Sequence, residues 1–123
     1  MGNHTYAEEG GLKISDDVIA TIANTAAADV RGVAGFSIYP IKDLKGFAKH
    51  KPNHKAIHTE MKEGEVVLDL YVNLYLGAYI PDVAAELQSR VKDAVQTMTG
   101  MAVSKVNVHV AGLVLQDQET YVE

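Results

Sequence analysis

Residues 65–76 read EVVLDLYVNLYL, and this stretch decides the fold. Its even-numbered positions are all aliphatic, whereas its odd-numbered positions from Asp69 onward carry polar or tyrosine side chains. Successive side chains of a strand point to opposite faces, so this alternation predicts a strand with one face buried on a core.

The next residues predict a helix and a closing strand. Gly77 ends the first strand, and Pro81 suits the first turn of a helix, where its missing N–H is not needed. Apolar residues then recur at helical spacing up to Gly100, which favours a helix end. They are Val83, Leu87, Val91, Val95 and Met98. Residues 106–110 alternate again and predict a strand.

The N-terminal half repeats this pattern. Ser15 is a good N-cap, and the apolar residues that follow it at intervals of four predict a helix of about 15 residues, ending near Gly32. Residues 12–14 and 33–39 predict short strands on either side of this helix, and residues 59–61 are a further short extended piece.

The predicted order β-α-β-β-α-β indicates an α+β fold, with two helices packed on one face of a small mixed or antiparallel sheet. We expect a single domain over residues 10–115, preceded by a flexible lead-in (1–9) and followed by an acidic tail (116–123).

Composition limits the function. The chain of 123 residues has a net charge of −5, which argues against a general nucleic-acid binder. It has no cysteine, which excludes disulfides and thiolate catalysis. No apolar run approaches the ~20 residues that a membrane helix needs. We therefore expect a cytoplasmic protein, with any membrane contact made through a partner or a surface patch.

A basic loop stands out in this acidic chain. Residues 42–55 contain one acid and five lysines, which are Lys42, Lys45, Lys49, Lys51 and Lys55. Such a loop could contact an acidic partner, an anionic membrane surface or RNA, or it could simply be solvated. His50, His54 and His58 have a spacing that would align metal ligands on a helix, but Pro52 disfavours a continuous helix there. We expect no metal and no cofactor.

The second face of the sheet is the first candidate surface. If the even positions of the long strand face the helices, the opposite face gathers tyrosine, asparagine and histidine side chains. They are Tyr39, Tyr71, Asn73, Tyr75, Asn107 and His109. Tyrosine offers a large area and a polar tip, so this face suits protein binding or self-association, although a merely wet sheet face has the same pattern.

Enzymatic use of this face is not expected. Asp69 and His109 could pair across strands, but no Ser or Cys stands in a nucleophile context, and the chain has no glycine-rich phosphate loop.

Three segments taken together resemble a known family. They are GLKISDDVIATIA (11–23) with VRGV (30–33), LDLYV (68–72) leading to GAYIPDVA (77–84), and MTG (98–100) through VNVHVAG (106–112). Their order resembles the alkaline shock protein family, the envelope stress response proteins of the Asp/Gls type in Gram-positive bacteria. In its small size, the chain is most similar to the short housekeeping members of this family. Leu76 departs from the pattern, because the family often has Tyr before this glycine.

The resemblance implies a non-enzymatic cytoplasmic protein linked to cell-envelope homeostasis. Some members self-assemble and are held at the membrane by a separate membrane-anchored partner, and the family implies no catalytic residues. Two alternatives remain open at this point: a small nucleic-acid-binding domain that uses the loop 42–55, and an accessory subunit of a metabolic enzyme.

Overall fold

The computed structural model describes residues 10–37 and 57–115. Several sequence predictions fall outside these ranges: Tyr39, the five lysines of the basic loop, His50, His54, the lead-in 1–9 and the tail 116–123.

Within the described ranges the chain forms two helices and four strands. In chain order they are α1 (Asp16–Ala28), β1 (Val33–Phe36), β2 (Ile57–Lys62), β3 (Glu65–Tyr75), α2 (Ile80–Thr99) and β4 (Val103–Val114). Both helices contribute to one core cluster with the same face of the sheet. The predicted α+β class, with two helices on one face of a mixed sheet, is confirmed.

The helix ends follow the local chemistry that the sequence predicts. The Ser15 hydroxyl accepts a hydrogen bond from the Val18 N–H at 3.3 Å, and Asp16 and Asp17 lie in the first turn, where the helix dipole favours negative charge. The second helix has Pro81 in its first turn and ends at Gly100, whose φ of 78° is left-handed.

Strand β3 is the centre of the sheet. Strand β4 pairs with it in parallel over Val66–Tyr75, so β4 occupies one edge of β3. Both β1 and β2 pair with β3 in the antiparallel sense. Since a strand has two edges and β4 runs along one of them, β1 and β2 lie end to end along the other.

Strands β1 and β2 continue each other in register. Phe36 lies opposite Val72, the Ser37 N–H donates to the Tyr71 carbonyl at 2.9 Å, and Ile57 lies opposite Leu70. Ser37 and Ile57 thus lie at successive positions along the same edge of β3. The two strands act as the two halves of one edge strand.

The core confirms the alternation of the long strand. All its even-numbered side chains are fully buried: Val66, Leu68, Leu70, Val72 and Leu74. The first helix covers them with Ile19, Ala23 and Ala27, and the second with Val83, Leu87, Val91 and Val95. The alanines let α1 approach the sheet closely, which leaves little void between the two layers.

Three strand predictions need correction. Residues 12–14 form no strand, because β1, β2 and β4 already occupy the two edges of β3, and Leu12 is 58% exposed. The short piece at 59–61 is part of the longer strand β2, which pairs with β3 over six positions. The closing strand extends beyond 106–110 to Val103–Val114, because parallel pairing with the long β3 continues through two register shifts.

Candidate interaction surface

The side of the sheet that faces away from both helices is called the open face here. Its side chains come from β2, β3 and β4, at register positions that alternate with the buried ones. They are His58, Glu60, Val67, Asp69, Tyr71, Asn73, Tyr75, Lys105, Asn107 and His109. In residues 10–37 and 57–115 no helix covers this side.

Asp69 is the centre of a polar cluster on the open face. Asn107 lies beside it in register, and the Asn107 amide donates to Asp69 Oδ1 at 3.1 Å. The Nε2 atom of His109 lies 3.0 Å from the same oxygen. A carboxylate oxygen is an acceptor, and a proton on Nε2 would let the imidazole donate to it. The Asp69 side chain is only 22% exposed, which strengthens both contacts relative to fully solvated ones.

Tyr71 fixes His109 from a second direction. Their ring centroids lie 4.3 Å apart and the ring planes differ by 5°, so the two rings are stacked. Tyr71 and His109 are register neighbours on β3 and β4, which places the rings side by side on the sheet. The imidazole is therefore held at its edge by a carboxylate and on its flat side by a phenol ring, while 43% of its side chain stays exposed.

Asn73 and Tyr75 extend the open face toward the C-terminal end of β4. The Asn73 side chain lies over Gly112, where an added Cβ would stand 2.9 Å from Asn73 Oδ1. Tyr75 lies beside Val114 in register. Five of the six sequence-predicted surface residues are thus brought together on one face, and Tyr39 lies outside the described residues.

Sequence reasoning missed two features of this region. The predicted pairing of Asp69 with His109 across strands is present, but the contact of Asn107 with the same carboxylate was missed, because it depends on the parallel register of β3 and β4. Sequence reasoning also missed the length of β4. The signal for that length was present, because residues 106–115 contain no charged side chain and suit a strand throughout.

Sites of other kinds find no support in the residues that the structure describes. Over 10–37 and 57–115, no group of three His, Cys, Asp or Glu side chains is placed to hold a metal ion. In the same ranges neither helix has the length and apolar character that crossing a membrane requires.

Comparison with known proteins identifies one family model and several bacterial relatives. Residues 4–115 match the model of the alkaline shock protein 23 family, described as having a cell envelope-related function. YloU of Bacillus subtilis strain 168 is 36% identical over 106 residues, which cover 85% of this chain and 88% of YloU. Spy1535 of Streptococcus pyogenes serotype M6 is 34% identical, over 87% of this chain and 81% of that protein.

Two more distant similarities complete the comparison. YqhY of Bacillus subtilis strain 168 is 28% identical over 113 residues, covering 90% of this chain and 82% of YqhY. The solved structure of MamM-CTD 215-293 matches with a TM-score of 0.48 and 14% identity, over 80% of this chain and 99% of that one. The family match spans nearly the whole described domain, and the chain belongs to the alkaline shock protein family, whose function is related to the cell envelope.

Proposed function

We propose that this protein is a non-enzymatic interaction module of the cytoplasm that serves the cell envelope. It works by binding a partner protein through the open face and by associating with further copies of itself. The family description supports the link to the envelope. In this proposal the partner is anchored in the membrane and brings the domain to it.

The observation that carries the proposal is the order already present in the open face. His109 is held by Asp69 and Tyr71 before any partner arrives, and Asn107 shares the same carboxylate. Side chains that are fixed in advance lose little conformational entropy on binding, so more of the contact energy appears as affinity. Tyr71 and Tyr75 are half-buried on this face, and tyrosine is among the residues that dominate protein interfaces.

The open face also suits a protein better than nucleic acid. Asp69 lies at its centre and Glu60 near its margin, and the chain carries a net charge of −5. Affinity for nucleic acid depends on cations that face the phosphates. A protein partner can instead use the tyrosine rings and donate hydrogen bonds to the remaining lone pairs of the Asp69 carboxylate.

The first test removes the aromatic part of the open face. We expect the double variant Tyr71→Ala, Tyr75→Ala to lose at least about tenfold in affinity for the partner, because aromatic anchors are worth more than about 1 kcal/mol each at many interfaces. The measurement is capture from the membrane fraction of the source cells on immobilised protein, followed by titration of the captured partner.

Tyr79→Ala is the matched control for this experiment. Tyr79 is 66% exposed at the start of α2, so its substitution removes an equally large ring away from the open face. This variant should bind as the wild type does. Equal capture by all three proteins would show that the open face is not the binding surface, and capture of a soluble enzyme alone would replace the proposal with that of an accessory subunit.

A further inference from the structure

The outer edge of β4 is covered at its beginning and uncovered toward its end. One edge of this strand pairs with β3, and helix α2 covers the beginning of the other. The Val103 N–H donates to Gln96 Oε1 at 3.0 Å, and Gln88 Nε2 donates to the Val106 carbonyl at 3.0 Å. From Asn107 to Val114 the described residues provide no such cover, so backbone donors and acceptors face outward there.

This uncovered edge lacks the usual protection against pairing. Residues 106–115 contain no Asp, Glu, Lys or Arg. Natural edge strands are commonly guarded by charge, and β2, on the opposite side of the sheet, carries Glu60 and Lys62. Apolar side chains of the uncovered part are instead exposed, with Val110 at 37%, Leu113 at 53% and Val114 at 40%.

We propose that this edge pairs with the same edge of a second copy, antiparallel and across a two-fold axis, so that two sheets become one. The inference rests on the self-association in the proposed function and gives it a surface. Two copies with a net charge of −5 each repel in general, and residues 106–115 let them approach without a like-charge contact. A symmetric contact also needs only one surface that is complementary to itself.

The side-chain pattern selects a register for this pairing. A register shift lies between Val110 and Gly112, so Asn107 and His109 before it and Gly112 and Val114 after it all belong to the open side. Residues directly opposite each other in an antiparallel pair must share a side. An axis between residues 110 and 111, the centre of the uncovered segment, satisfies this rule. A shift by one residue violates it.

In this register four kinds of contact form twice, including Val110 opposite Ala111 of the second copy beside the axis. Asn107 lies opposite Val114 of the second copy, Val108 opposite its Leu113, and His109 opposite its Gly112. The Val108–Leu113 contact is apolar and lies on the helix side. Gly112 has no side chain, which leaves room for the opposing imidazole while His109 stays stacked on Tyr71.

The backbone direction agrees with the same register. The Val114 carbonyl points to β3, because it accepts from the Leu76 N–H at 2.8 Å. The backbone groups of Leu113 therefore point outward, since alternate residues of a strand point to opposite edges. The backbone groups of Val106 point outward, because its carbonyl accepts from Gln88 Nε2. Those of Val108, two residues later, point outward as well. Val108 and Leu113 are then the residues that exchange backbone hydrogen bonds between the copies.

A lysine on the edge tests the proposal. We expect the wild type to be a dimer by size-exclusion chromatography with light scattering, and Leu113→Lys to raise the dimer Kd about 100-fold, because two lysines are buried in the seam. Leu113 is exposed in one copy, so circular dichroism should show the fold unchanged. Met98→Lys is the control, since Met98 is 70% exposed on α2, and it should remain a dimer.

Engineered cysteines test the register, because the chain has none of its own. The double variant Asn107→Cys, Val114→Cys should form a disulfide-linked dimer on mild oxidation. Each single variant should not, because the two like positions then lie about 23 Å apart along the strands, beyond disulfide range.

Several results would overturn the inference: a monomeric wild type, a Leu113→Lys protein that still dimerises, or cross-linking no greater in the double variant than in the single ones. The double tyrosine variant separates this inference from the proposed function. It should remain a dimer while it loses the partner. A protein that is monomeric but still needs Tyr71 and Tyr75 to capture a partner would reject the edge pairing alone.

Discussion

The hydroxyl of Thr59 is buried without a hydrogen bond to any of the residues that the structure describes. Its Oγ1 atom has no partner in the described part of the chain, and the side chain points to the helix side of β2 opposite Leu68. An unsatisfied buried hydroxyl destabilises the folded state, so Thr59→Val should raise the free energy of unfolding by about 1 kcal/mol. Denaturation in urea, followed by circular dichroism, measures this difference.

Thr99→Val makes the same substitution at a hydroxyl that has hydrogen-bond partners. The Thr99 hydroxyl donates to the Val95 carbonyl at 2.6 Å and accepts from the Met101 N–H at 3.0 Å. Its loss should lower the free energy of unfolding by about 1 kcal/mol. A fall of similar size in both variants would show that the Thr59 hydroxyl is satisfied in solution.

Gly32 and Gly100 form a second matched pair of residues. Both have left-handed backbone, with φ of 101° and 78°. An added Cβ meets nothing within 4 Å at Gly100, whereas at Gly32 it would stand 2.9 Å from Val83 Cγ2, on a buried side chain of α2. Gly100→Ala should therefore cost about 1 kcal/mol from backbone strain alone, and Gly32→Ala at least about 1 kcal/mol more from displaced packing.

Thermal denaturation of the two glycine variants tests this difference. Equal losses would mean that the start of α2 shifts freely to admit the extra methyl group, and that backbone strain accounts for both effects.

At the scale of elements, the interrupted edge strand predicts that residues 38–56 can be removed. Joining Ser37 directly to Ile57 continues the register against Tyr71 and Leu70 and keeps every side chain of β2 on its side of the sheet. The shortened chain should fold, and its free energy of unfolding should rise by roughly 2–3 kcal/mol, because folding no longer has to bring together the ends of the removed segment. Chemical denaturation and circular dichroism report both properties.

Removing one more residue provides a sharp control. A deletion of 38–57 would join Ser37 to His58 and turn His58 toward the core in place of the buried Ile57, with every later residue of β2 inverted. This variant should be severely destabilised. If the two deletions behave alike, β1 and β2 do not act as one strand.

The sequence was sufficient to predict the elements that bury one face against the core. The strand β3 and both helices have one buried face, so the periodicity of their apolar residues was sufficient. The strands β2 and β4 were predicted too short, because their ends depend on pairing with β3. Leu113, for example, is an exposed apolar residue within β4, and only the neighbouring strand reveals it as paired.

The candidate surface likewise has features that the sequence predicted and one that it did not. The tyrosines of the open face follow from simple alternation along β3. The pairing of Asp69 with His109 was also predicted as a contact across strands. The contact of Asn107 with the same carboxylate depends on the parallel register of β3 and β4, which no local pattern encodes.

On the scale of the whole molecule, every strand pairs with β3 and with no other strand in the described ranges. The core cluster likewise joins both helices to the even-numbered residues of this one strand. The family match spans residues 4–115, so it covers this arrangement as a unit. The two surfaces that we propose for interactions lie on parts that the core leaves unused: the open face and the outer edge of β4.

The uncharged segment 106–115, which includes most of β4, also has a consequence before the protein is folded. Residues 106–115 combine alternating valines with an absence of charge and proline, which is the composition of segments that stack into amyloid-like aggregates. In a newly made chain this segment is synthesised after β3, its pairing strand in the sheet. Rapid docking onto β3 then protects it, and slow folding exposes it to other chains. A strand suited to joining two folded copies is for the same reason prone to aggregate while the chain is still unfolded, during synthesis or on refolding from denaturant.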